Sequence, residues 1–69
     1  MKTVKSIDIW ETVWGYVIVA NDGKWNSFVH SYYKGEYTWY SDIISAKAFS
    51  LRSALMHYKR LCALYDIPA

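Results

Sequence analysis

Sixty-nine residues make one domain, 1–69, with room for only a modest core, so the chain is marginal unless something besides aliphatic packing supports it. A single cysteine, Cys62, excludes an internal disulfide, and four Trp, seven Tyr and two Phe take over the supporting role, because aromatics bury large areas per residue. The formal charge of +2, from eight Lys/Arg and six Asp/Glu, is mild and interspersed, unlike the concentrated basic patch of a protein that holds a nucleic-acid backbone.

Met1 to Lys5 is expected to fray. Lys2 and Lys5 are not followed by an apolar run, so the start does not read as a secretion signal. No stretch is apolar for long enough to span a bilayer. With a free cysteine and no signal, the expected location is the cytoplasm. Ser6 to Trp10 alternates and reads either as a short edge strand or as the lead-in to the next one, with Glu11 and Thr12 a weak interruption. Val13 to Ala20 is the strongest strand signal, β-branched, aromatic and almost continuously apolar, as a central strand would be. Gly15 inside it marks a bulge or a close approach of another backbone or ring.

Asn21-Asp22-Gly23 signals a hairpin turn. Trp25 to Tyr33 returns, with Trp25, Ser27, Val29 and Ser31 on one face and Asn26, Phe28, His30 and Tyr32 on the other. Lys34-Gly35 is a second tight turn. Glu36 to Ser41 follows as another strand, in which Tyr37 and Trp39 share a face. Residues 42–49 are either a helical turn begun by Ile43 and Ile44, with Asp42 as its cap, or a short strand from Ala46 to Phe49.

Ser50 is the candidate N-cap of a helix over about 50–65. Leu51, Leu55, Tyr58, Cys62 and Tyr65 recur at spacings of three and four, widened by Ala54 and Leu61, and form the expected buried stripe. Arg52, Ser53, Lys59 and Arg60 fall mostly on the other side, the last two placed late, where the helix dipole favours cations. Asp66 and Pro68 mark the exit. The expected fold is therefore α+β: an antiparallel β-meander of three or four strands over 6–41 with one C-terminal α-helix packed on one face. One helix covers one face, so part of the aromatic surface is left over. Surface of that kind tends to mark an interaction site.

The chemistry-bearing residues support no catalytic centre. His30 and His57 read as a half-exposed strand histidine and a solvated helix histidine. With Cys62 on the apolar stripe, they do not make the four-ligand spacing of a zinc site. Asp22 and Asp42 have turn and capping roles. The glycines at 15, 23 and 35 form no phosphate loop. We therefore expect no enzyme, metal or cofactor.

The aromatics carry two readings. Trp14, Tyr16, Trp25, Phe28, Trp39 and Tyr40 are candidates for the core, which accounts for about half of them on area. The remainder lies near the Lys34-Gly35 turn, and the helix adds a basic side. Trp25, Tyr32, Tyr33, Lys34, Tyr37, Trp39, Arg52, Lys59 and Arg60 are the candidate partner-binding residues, since Tyr, Trp and Arg dominate protein–protein hot spots. An aromatic sheet face can also stack single-stranded bases with Lys24, Lys34 and Lys47 beside it, although Glu36 and Asp42 dilute those charges. Homodimerisation through the bare face or an edge strand, as in a structural oligomer, belongs with the protein-binding reading.

The arrangement W..DI..AKAFS...A, from Trp39 through Ala54, resembles a pattern in small phage-encoded and prophage-encoded accessory proteins. There a β-meander ends in A-(K/R)-x-F-(S/T) and a helix with a small-residue cap closes the sheet. The resemblance covers about the last third of the chain, preceded by a Trp-rich hairpin. Arg52-Ser53 departs from the pattern, which usually carries acidic residues there. The resemblance implies a protein made during infection, in the host cytoplasm, that docks on a host or phage protein. Defence nucleases and transcription or replication factors are the typical targets, and the effect is to inhibit or redirect them.

Overall fold

The computed structural model describes residues 4–68. Four strands, β1 (Ser6–Thr12), β2 (Gly15–Asn21), β3 (Asn26–Tyr33) and β4 (Glu36–Tyr40), form one antiparallel sheet in sequence order, followed by the helix α1 (Leu51–Leu64). The fold is thus α+β, a four-stranded meander closed by a C-terminal helix. Of the expected frayed end, residues 1–3 lie outside the described part. Val4 packs against the core, and the Lys5 amide donates to the Asn21 carbonyl at 2.7 Å.

The first strand is longer than the alternation suggests, and the second starts later. β1 stays in register with β2 from Ser6↔Asn21 to Thr12↔Gly15. Val13 and Trp14 make the turn instead of opening β2. Thr12 closes that turn, its hydroxyl donating to the Gly15 carbonyl (2.9 Å) and accepting from the Trp14 amide (3.1 Å). The next turn rests on Asp22, whose carboxylate accepts from the Lys24 and Trp25 amides at 2.9 and 2.7 Å. These bonds favour the ionised form and hold the Asp22 pKa below the ordinary carboxylate value. At the third turn, Lys34 and Gly35 both have positive φ (50° and 85°), the handedness that a two-residue hairpin needs.

Two irregularities shape the sheet. First, β2 and β3 pair only over Val19↔Phe28, Ala20↔Ser27 and Asn21↔Asn26, and then part. Second, the β3–β4 register shifts between Val29 and Ser31. Val29 faces Trp39 and Ser31 faces Thr38, so two steps on β3 oppose one on β4. This bulge corrects the strict alternation expected for β3. Tyr32 emerges on the same side as Val29, toward the helix, instead of beside Phe28.

The segment after β4 runs through the opening between β2 and β3. A single 3₁₀ turn at Ile43–Ser45 is capped by Asp42, which accepts from the Ile44 amide at 2.9 Å. Ala46 then packs on Val17, Val19 and Phe28, on the face away from the helix. The Lys47 amide donates to the Val29 carbonyl of β3 (2.8 Å), and Phe49 exchanges both backbone hydrogen bonds with Tyr16 of β2 (2.7 and 2.9 Å). Phe49 itself lies in the core on the helix side. The chain therefore crosses from one face to the other between the parted strands, and both readings of residues 42–49 hold, a helical turn followed by a short bridge. Gly15 marks the close approach: a Cβ there would stand 2.9 Å from the Phe49 carbonyl oxygen.

Ser50 caps α1, accepting from the Ser53 amide at 3.2 Å. The exit is a Schellman turn. The Ile67 amide donates to the Cys62 carbonyl (2.7 Å) and the Asp66 amide to the Ala63 carbonyl (3.3 Å), with Asp66 at φ 57°. Lys59 and Arg60 precede the last turn, so neither sits at the negative end of the dipole. The buried stripe is Ala54, His57, Leu61 and Cys62, flanked by Tyr58 and Tyr65. Leu51 and Leu55, expected in it, stay at its margin, 47% and 44% exposed. His57, expected in solvent, takes their place.

Candidate aromatic binding surfaces

His57 is buried because its surroundings satisfy it. The rings of Tyr32, Tyr37 and Phe49 surround the imidazole, with centroids 4.8, 5.6 and 5.0 Å away. Its Nδ1 shares a 2.8 Å hydrogen bond with the Tyr37 hydroxyl. Arg60 donates to the Tyr32 hydroxyl at 2.6 Å and lies over that ring at 5.5 Å. Trp39 continues the cluster, 6.3 Å from Tyr37 and 6.5 Å from Tyr65. Four of the nine candidate residues, Tyr32, Tyr37, Trp39 and Arg60, thus meet at one place, and they clamp the helix to the β3–β4 hairpin. The bulge in β3 makes this possible by delivering Tyr32 to the helix side.

Burial, with the Arg60 and Lys47 cations nearby, holds the His57 pKa below its ordinary value of 6.5. The unfolded chain therefore takes up this proton at higher pH than the folded one. The contribution to stability is complete above about pH 6.5 and is lost as the pH falls toward the folded pKa. Thermal melts from pH 8 to pH 4.5 are expected to show a flat Tm above neutrality and an acid decline that starts near 6.5. That decline should be reduced in a His57→Gln variant. An unchanged decline in the variant would assign it to another group.

The other candidates are scattered. Trp25, 66% exposed with the Lys24 ammonium 5.7 Å from its ring, sits at the β2–β3 turn. Tyr33 and Lys34, themselves a cation–ring pair at 5.3 Å, sit at the opposite end of β3. Arg52 and Lys59 are exposed on the helix.

The face opposite the helix holds what the sequence reading missed. There Val17, Val19 and Phe28 are buried under Ala46 and against Trp10, whose ring meets Phe28 edge-on at 5.6 Å. His30 stacks on Tyr40 at 4.3 Å, and its Nδ1 lies 2.7 Å from the Ser45 carbonyl. A carbonyl only accepts, so that nitrogen carries the proton and ties the 3₁₀ turn to β3. Beside this tie lies an apolar groove of about 210 Å³, lined by Trp14, Val17, Ile43, Ile44, Ala46 and Ala48. Its rim is bare: Trp14 is 72% and Ile44 81% exposed. The strand expected over Val13 to Ala20 would bury Trp14 in the core, but β2 starts at Gly15 and leaves Trp14 in the turn. The Thr12-x-x-Gly15 spacing was the signal that it belongs to a turn.

Among the described residues, no three His, Cys, Asp or Glu side chains converge, and no helix is long and apolar enough to cross a membrane. Comparison with family models, curated proteins and solved structures finds no match.

Proposed function

We propose that this chain is a small non-enzymatic binding protein of the phage accessory kind, which docks on a host or phage protein and inhibits or redirects it by steric occlusion. The observation that carries this reading is the Trp14–Ile44 groove on the face opposite the helix, a concave apolar site with a Trp at its rim. Its size suits one large apolar side chain of a partner protein. Trp anchors in such settings supply much of an interface's energy, and surrounding contacts exclude water from them. Trp25 lies too far away to share the groove.

A single-stranded nucleic-acid reading requires cations along the stacking face. Here the cation–ring pairs at Trp25, Tyr33, Phe49 and Tyr32 are distributed over both ends and both faces. The decisive experiment is capture from nuclease-treated host lysate, followed by affinity measurement on the purified partner. Trp14→Ala is expected to fold normally and to weaken binding by roughly 30-fold, as a hot-spot truncation does. Tyr37→Phe, on the helix side, should leave binding unchanged. Undiminished binding by Trp14→Ala, or a capture abolished by nuclease and salt, would overturn the proposal.

A further inference from the structure

The backbone bonding of Tyr16 fixes which way every peptide group of β1 points. Because Tyr16 exchanges both its bonds with Phe49, its amide and carbonyl point away from β1. These directions alternate along a strand, so Gly15, Val17, Val19 and Asn21 are the residues of β2 that bond β1. Their partners are Thr12, Trp10, Asp8 and Ser6. The Asn21 carbonyl does point to the β1 side, where it accepts from the Lys5 amide, so the regular alternation of β1 begins after Lys5. It follows that Ile7, Ile9 and Glu11 present their N–H and C=O groups to the outer edge of the sheet. No bond from the described residues meets them there.

Natural edge strands are normally blunted by Pro, by charged side chains, above all Lys, by a bulge or by a covering segment. β1 has no Pro, no Lys and no bulge within its span, and its only charges are two acids, Asp8 and Glu11. It is seven residues long and runs in unbroken register. β4, the other edge, is shorter and pairs across the bulge.

We infer that β1 pairs with the β1 of a second copy, antiparallel and centred on Ile9, to give one continuous eight-stranded sheet. The register argues for a second copy over a foreign strand, because the sequence complements itself about this point. Ile9 meets Ile9, a β-branched pair. Asp8 meets Trp10, Glu11 meets Ile7 and Ser6 meets Thr12, so no acid opposes an acid. All seven residues overlap, and the three outward residues of each copy complete about six hydrogen bonds. Centring on Asp8 would oppose two aspartates, and centring on Trp10 would leave Ile7 unpaired. The two-fold axis stands perpendicular to the sheet, so both helices lie on one face of the dimer and both Trp14 grooves on the other. This inference does not depend on the proposed function.

Sedimentation or native mass measurement on the full chain tests it. The expected mass at micromolar concentration is twice 8.1 kDa, falling to 8.1 kDa on dilution. Ile9→Pro removes an amide that no neighbour within the chain uses, so it should weaken dimerisation at least tenfold while matching the thermal melt of the parent at dilutions where the parent is monomeric. Trp10→Pro, which removes a bond to Val17, should lose the fold. Hydrogen exchange on the unmodified protein gives a second reading free of any folding defect. The Ile7, Ile9 and Glu11 amides should gain protection as concentration rises, while those of Asp8, Trp10 and Thr12 are protected throughout. A mass of 8.1 kDa up to millimolar concentration, a dimer that survives in folded Ile9→Pro, or concentration-independent exchange at Ile9 would each overturn the inference.

Discussion

Gly15→Ala is expected to destabilise the fold by about 3 kcal/mol, although it adds only a methyl group. Two costs combine. Gly15 has φ 133°, where an L side chain is strained, and the new Cβ would lie 2.9 Å from the Phe49 carbonyl oxygen. That oxygen cannot yield cheaply, because it accepts the Tyr16 amide in the bridge that seats residues 46–49. For a domain of this size the loss corresponds to a fall in Tm of roughly 12–24 °C. The check is a thermal melt followed by circular dichroism, with amide exchange at Tyr16 and Phe49 read alongside. A Tm within a few degrees of the parent would mean that the approach of the two backbones is not a constraint on the fold.

Leu61→Ala should have a comparable effect, about 3 kcal/mol within a usual span of about 2–5. Leu61 is fully buried at the centre of the helix's contact with the sheet, in the cluster of Ile7, Ile18, Val29 and Cys62. A chain of this length carries little reserve, so the variant should be partly unfolded at 37 °C. Leu55→Ala is the paired measurement. Leu55 belongs to the stripe that helical spacing alone selects, yet it is 44% exposed and its loss should cost well under half as much. Chemical denaturation of the two variants separates the two placements of the helix. Equal losses would restore Leu55 to the core.

That comparison shows where the sequence was legible. Strands, turns and helix follow from short-range rules that leave marks on the chain: Asn21-Asp22-Gly23, Lys34-Gly35, Ser50 as a cap, Asp66 and Pro68 at the exit. Gly15 was recognisable as a close approach, and its partner Phe49 stood in the segment read as a possible short strand. The facing of side chains was less accessible. One bulged residue near His30 moves Tyr32 to the other side of the sheet, and nothing in β3 announces it. The rotation of the helix was hidden for a related reason. A histidine scores as polar until three rings and the Tyr37 hydroxyl gather around it, and that gathering depends on the bulge. The aromatic surplus itself was readable as a quantity. Its location was not, because Trp14 and Trp25 look like strand residues until their turns place them outside.

The parted strands have a mechanical consequence. The β1–β2 and β3–β4 hairpins are joined by three residue pairs at one end only, so the sheet is two leaves on a hinge. Residues 46–49 act as a bolt through the gap, held by Val29 on one leaf and Tyr16 on the other. The same short segment floors the groove on one face and leads directly into the helix on the other. A molecule seated in the groove would touch Ala46 and Ala48 of the bolt, and by binding only the form in which the bolt is seated it would raise the stability of that form by mass action.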